Sequence, residues 1–306
     1  MEEKVNELRN YLPIYFESKE NNEYVEYLTS AYLKNVEAEK YQFSFIAFHI
    51  LYMCFIYKTI WSLKKNGEHE KFEAVLNSCR NKQGMIVYSS LFDISVLGET
   101  DSFKFFRLFN FHPNDIDKFS HPVEVRNHCS HASGKLHYNE KEIEEYICKE
   151  LEYISQIQQK SEPILKKMFI DFLRENWNPE KRPFSTSETA IDDFIRKNLF
   201  SIKDIEYLIR LDIPELGKKS DNKKTIYTKV LYLVFLSAAQ KFIEYEGNLF
   251  IERLPLLMNG FKEQSEVKIE TLVNDEFSVL VQSLNDDDKK KFEKITKVKL
   301  EQYQYT

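Results

Sequence analysis

Residues Tyr41 to Tyr57 read YQFSFIAFHILYMCFIY, a run without a single Asp, Glu, Lys or Arg. Such a run is apolar around its whole circumference, which suits a helix buried in a core or one crossing a bilayer. Gln42, Ser44, His49 and several tyrosines dilute it, and no second comparable run exists. The expectation is therefore the buried central helix of a bundle, with no membrane span. It extends to Trp61 and closes at Lys64-Lys65-Asn66-Gly67, basic residues followed by an Asn-Gly stop.

The surrounding text agrees with an all-α protein. The chain has 306 residues, 42% hydrophobic and 30% charged, enough to bury a large core or two ordinary ones. Only seven Gly and eight Pro leave few tight turns for a sheet. Toward the N-terminus, Val5, Leu8, Leu12, Tyr15 and Phe16, then Tyr24, Tyr27, Leu28 and Leu33, recur near every three to four residues, predicting a helix interrupted near Pro13. Toward the C-terminus, helices are expected over 69–80 and 83–97, then an irregular, phenylalanine-rich connection over 99–121 with room for one short helix. Pro122 as a first-turn proline, Glu124 behind it and Gly134 as a stop predict a short helix over 122–133.

Asn139 and Glu142 form a capping-box pattern for the next helix, which Pro163 breaks or restarts before Trp177. The polar, proline-bracketed 178–183 reads as a boundary between an N-terminal domain, 1–177, and a C-terminal helical domain, 185–306. Within the latter, Ser185 with Glu188 and Ser201 with Asp204 predict helices over 187–199 and 202–212. A long apolar helix over 225–245 follows, then a solvated last helix from Asn285 through the Lys289–Lys291 run.

Net charge of −6 counts against general polyanion binding, and four scattered cysteines without a CxxC pair indicate a reducing, cytoplasmic setting. No signal peptide is legible at the start. One region departs from the acidic whole. Five of seven histidines fall between His112 and His137, and residues 102–137 hold five Lys/Arg against three Asp/Glu. At its centre lies Arg126-Asn127-His128-Cys129-Ser130-His131. On a helix Asn127 and His131, four apart, share a face that Arg126 can reach, so guanidinium, amide and imidazole can converge on one phosphate.

These six residues resemble the signature of the HEPN superfamily of helical ribonucleases, which is Arg, a polar residue often Asn, three further residues, then His. The resemblance covers about 1–175, where the motif follows a long apolar helix and precedes another. It implies a metal-independent endoribonuclease without cofactor, active as a homodimer whose composite site uses Arg and His from two copies. RNA's own 2′-OH attacks, leaving a cyclic phosphate. His131 would be the acid or base, Arg126 the phosphorane stabiliser, Asn127 an orienting amide and His128 a candidate second imidazole. Lys104, Arg107 and Lys135 would contact the RNA substrate. The family implies a prokaryotic toxin or abortive-infection effector against phage; the resemblance does not reach residues 185–306, whose lack of motifs leaves a sensor, antitoxin contact or assembly surface as the expectation.

Other readings of the same residues stand beside these. His128, Cys129, His131 and His137 fit no standard zinc spacing. His49 reads as a satisfied core histidine, and the aromatics Phe103 to Phe111 as core packing or base-stacking groups. The bundle could be a non-catalytic nucleotide, RNA or protein-binding module. A toxin inactivated by nucleotide transfer would place Tyr three residues after His131; that position is Gly134, and the nearest tyrosine is Tyr138.

Overall fold

The computed structural model describes residues 1–79, 90–131, 138–176, 193–209 and 286–296. Among the described residues the regular elements are all helical, and the only strand-like pairing is an isolated bridge between Pro13 and Ser201. The chain divides into two compact units, Met1–Met168 with Ile195–Asp204, and Phe169–Phe194 with Ile205–Thr306.

In the first unit α1 (Glu2–Arg9) and α2 (Lys19–Glu37) flank the break expected near Pro13, with Ser18 capping α2 through the Asn21 N–H. The apolar run forms α3 (Tyr41–Asn66), against which α2, α6 (Pro113–Ser130), the 3-10 turn Leu91–Leu97 and α5 (Glu99–Ser102) pack. It is the one described helix long and apolar enough for a membrane, but 83% of its apolar window is buried inside the fold. Phe45, Phe48, Leu51, Tyr52, Phe55, Ile56 and Ile60 are all sealed from solvent. Full burial of each such side chain stabilises by about 1.5–3 kcal/mol, so α3 is the spine of this unit.

The region between α3 and the motif differs from expectation. After α4 (His69–Ser78), the described part of the predicted helix over 83–97 is a 3-10 turn, opened by a reciprocal Ser90–Asp93 capping box. The short helix α5 leads into a second 3-10 turn, Phe103–Phe109, which buries Phe103, Phe105, Phe106 and Phe109. Three residues per turn bring Phe103, Phe106 and Phe109 onto one side, while Phe105 packs on Phe72 of α4 at 4.8 Å. Asn110, at φ 58°, ends the turn in the left-handed region that Asn tolerates.

The helix carrying the motif is longer than predicted. It begins at Pro113, not Pro122, because His112 accepts the Asn114 N–H and Pro113 takes the first position. Pro122 sits inside α6. Lys118, whose carbonyl loses its usual donor there, is exposed and open to water, and Tyr52 Oη donates to the adjacent Phe119 carbonyl at 3.1 Å. The far end also moves: α6 stops at Ser130, with His131 as the extended C-cap at ψ 141°.

α7 (Glu140–Asn176) starts as expected, with Asn139 and Glu142 exchanging side-chain-to-backbone bonds at 2.9 and 3.1 Å, but runs through Pro163 without a break. Ile143, Ile147, Leu151, Ile154 and Ile157 bury one face, as their spacing predicts. Beyond 178–183, which lie outside the described residues, the chain returns to the first unit. Phe200 O accepts the Ile14 N–H at 2.8 Å, and Asn10 O accepts Lys203 N–H at 3.0 Å. Ser201 and Asp204 form the predicted capping box for α8 (Ile202–Ile209). Buried Lys58 of α3 pairs with Asp204 and donates to Ser201 Oγ at 3.0 Å. The boundary expected at 177/185 did not foresee this return.

In the second unit Phe172 stacks on Phe194 at 4.1 Å, and α9 (Asp286–Thr296) is the last helix expected from its acid-then-base text. The predicted helix over 225–245 lies outside the described residues.

Candidate functional site

Arg126 and Asn127 ride the last turn of α6, and both are half-buried. Val125 and Cys129, on the inward side of the same turn, are buried and fix its rotation. His128 faces outward and lies 3.3 Å from the Tyr138 hydroxyl. His131 is exposed at the C-cap, where its N–H closes the helix on Asn127 O at 3.0 Å. With φ at −79° and its N–H bonded one turn back to Asn127, His131 keeps its Cα on the helical track, and the chain turns away only after it, through ψ 141°. It stands on the Asn127 side at the exit of the helix.

The Arg126 guanidinium has a defined partner. Its Nη2 donates to Glu99 Oε2 of α5, both side chains being about one-quarter exposed. The same carboxylate oxygen lies 3.6 Å from His49 Nε2, and His49 Nδ1 lies 2.6 Å from Glu150 Oε1. His49 on α3 and Glu150 on α7 are both completely buried. Four alternating charges thus run from the surface to the centre of the bundle: Arg126, Glu99, His49, Glu150.

The electrostatics follow from this order. Burial works to lower the His49 pKa, but Glu150, and behind it Glu99, outweigh burial and lift the imidazole to about 9. His49 is accordingly an imidazolium at neutral pH. Burial tends to raise the Glu99 carboxyl, while the His49 charge 3.6 Å away and then the hydrogen bond and charge of Arg126 take it below its ordinary value. Burial pushes Glu150 up against the pull of His49. His49 Nε2, Arg126 Nε and Glu150 Oε2 are buried and make no hydrogen bond among the described residues. The core-histidine reading of His49 is therefore half right: it is interior, but only one of its nitrogens is satisfied.

The remaining candidates are dispersed. Lys104 is bound to Asp101 at 2.7 Å and reaches the Ser78 carbonyl at 3.4 Å, so its charge is locally neutralised. Arg107 is exposed, and Lys135 lies outside the described residues, as do His137 and Gly134. The phenylalanines from Phe103 to Phe109 are interior, Phe103 meeting Phe106 edge-to-face and Phe109 tilted against it, which assigns them to packing rather than base stacking. No group of His, Cys, Asp and Glu suited to a metal occurs among the described residues.

Glu99, His49 and Glu150 escaped the sequence reading as members of the motif's surroundings. A signal for two of them was present. Glu150 interrupts an otherwise apolar stripe on α7 between Ile147 and Ile154, and His49 is the one side chain able to take up a positive charge in the Tyr41–Tyr57 run. A buried ionisable group needs a partner, so each implies the other.

The fold and its polar interior define an all-α protein built on a charged chain through a helical bundle. Compared with protein-family models, with curated proteins and with solved structures, this chain matches none.

Proposed function

We propose that the first unit is a metal-independent endoribonuclease of HEPN type that cleaves RNA through its own 2′-OH. Arg126 stabilises the phosphorane, His131 moves the proton, Asn127 orients the phosphate, and His128 is a second imidazole at the same helix end. Support comes mainly from one observation: Arg126 is ordered by Glu99 on the same helix end at which His131 is exposed. The site is composite, completed by a second copy of the chain, and the product end is a cyclic phosphate. The biological setting is a cytoplasmic prokaryotic toxin or abortive-infection effector. Residues 185–306 serve a sensor or antitoxin contact, and Arg107 and Lys135 serve the RNA backbone.

The Arg126–Glu99 pair favours a second reading as well. An arginine already neutralised by a carboxylate suits a helical binding module in which Arg126 is structural. Wild type, Arg126→Ala and His131→Ala, each incubated with single-stranded and structured RNA in EDTA, separate the two. Cleavage that survives EDTA and is lost in both variants is the expected outcome. An inert wild type, or variants that cut normally, leaves the binding module standing.

A further inference from the structure

We propose that Glu99 is a positioning residue for Arg126, and that His49, seated on Glu150, holds Glu99 in place. The inference deepens the ribonuclease reading and rests on it for its catalytic consequence, though not for its geometry.

The four groups come from four elements, α6, α5, α3 and α7, which meet only through the fold. Arg126 offers five N–H donors, and Glu99 engages it through Nη2. The guanidinium remains partly open to solvent, so it has both an anchored edge and a free one. A carboxylate alone would cancel the cation. Here, however, Glu99 also faces the His49 imidazolium, whose own charge is balanced by Glu150. With all four ionised the chain sums to zero, and Glu99 is shared between two cations, leaving Arg126 attractive to a phosphate. The other titratable groups coupled to this chain are Tyr52 and Tyr153, beside Glu150, and Tyr57, beside Glu99 and Arg126. All three stay neutral near pH 7, because burial raises each phenol. His49 and Glu150 touch no substrate in this arrangement. They act through Glu99, and Glu99 acts through Arg126.

The test uses the full chain and four variants, Glu99→Gln, Glu99→Asp, His49→Gln and Glu150→Gln, each checked for folding by circular dichroism. Glu99→Gln is isosteric and part-exposed, so it keeps the measurement meaningful if either buried variant fails to fold. In steady-state RNA cleavage, Glu99→Gln lowers kcat by about 10- to 100-fold with KM nearly unchanged, the size of loss that misplacing a catalytic group produces. Glu99→Asp recovers part of the rate. Unchanged or increased kcat in Glu99→Gln overturns the proposal, the increase meaning that Glu99 restrains Arg126.

A second measurement is independent of activity. In protein labelled with ¹⁵N-arginine, the Arg126 side-chain resonance, assigned by its loss in Arg126→Lys, is resolved and slow to exchange in wild type. It collapses toward the solvent-averaged position in Glu99→Gln and broadens in His49→Gln. A resonance that is averaged already in wild type, or indifferent to Glu99→Gln, refutes the positioning role whether or not RNA is cut. An inert wild type with the expected resonances refutes the ribonuclease reading alone.

Discussion

Raising the pH from 6.5 to 9 should strip stability from this protein through one side chain, His49. The imidazole is held at about 9 in the folded chain against an ordinary 6.5. Below pH 6.5 folded and unfolded chains both carry the proton, and the full benefit of the Glu150 and Glu99 contacts is present. Between the two values the folded chain keeps a proton that the unfolded chain has released, so stability falls with pH and the contribution is gone above about 9. At 1.36 kcal/mol per unit, the separation corresponds to roughly 3 kcal/mol, a large share of the 5–15 kcal/mol typical of a domain. Other groups move in the same range: the Lys58 pKa is lowered by burial, so its unfolded form binds more protons and pulls the other way. The informative quantity is thus the difference between wild type and His49→Gln in urea unfolding at pH 6, 7.5, 9 and 10. That difference should shrink by roughly 3 kcal/mol across the window. Parallel profiles would mean that His49 is buried neutral, and the alternating charge chain would be wrong.

Three further outcomes test the packing. Lys58→Met should cost about 3–5 kcal/mol in urea unfolding by stranding Asp204, and less than the sum of single losses should be seen when Asp204→Asn is added. Phe106→Ala, at a completely buried ring touching Phe103, Phe109, Phe111 and Phe119, should also cost about 3–5 kcal/mol, measured as a lowered thermal midpoint. In native protein a thiol reagent at neutral pH should titrate exposed Cys148 rapidly. Cys54, buried and pushed up to about 12, and Cys129, pushed by burial to about 11, should react only after unfolding.

Features set by local chemistry are legible in the text. The Tyr41–Tyr57 run reads as a helix apolar all round and is buried in the fold, and the Asn139–Glu142 and Ser201–Asp204 pairs each cap the helix they precede. Errors arose where two residues competed for one role. Pro113 and Pro122 both suit a helix start, and the winner was decided by His112, whose ring nitrogen is an unusual cap. Gly134 suits a helix stop, yet α6 ends at Ser130 before reaching it. The motif itself is legible as spacing, but its setting is not: Glu99 lies 27 residues from Arg126, and Glu150 lies 101 from His49. Such pairings depend on how α3, α5, α6 and α7 rotate against one another, which periodicity narrows to a face but not to a contact.

The return of Ile195–Asp204 has a consequence for biosynthesis. Lys58 is interior early in the chain, while its counterion Asp204 is made only after two-thirds of the 306 residues have been joined. A nascent chain that has exposed only the segment up to Met168 holds an ammonium in its core with no anion to meet it, and a fragment cut there inherits the same defect. The first unit should therefore be less stable in a fragment ending at Met168 than in the chain extended through Asp204, a difference that urea unfolding of the two would measure.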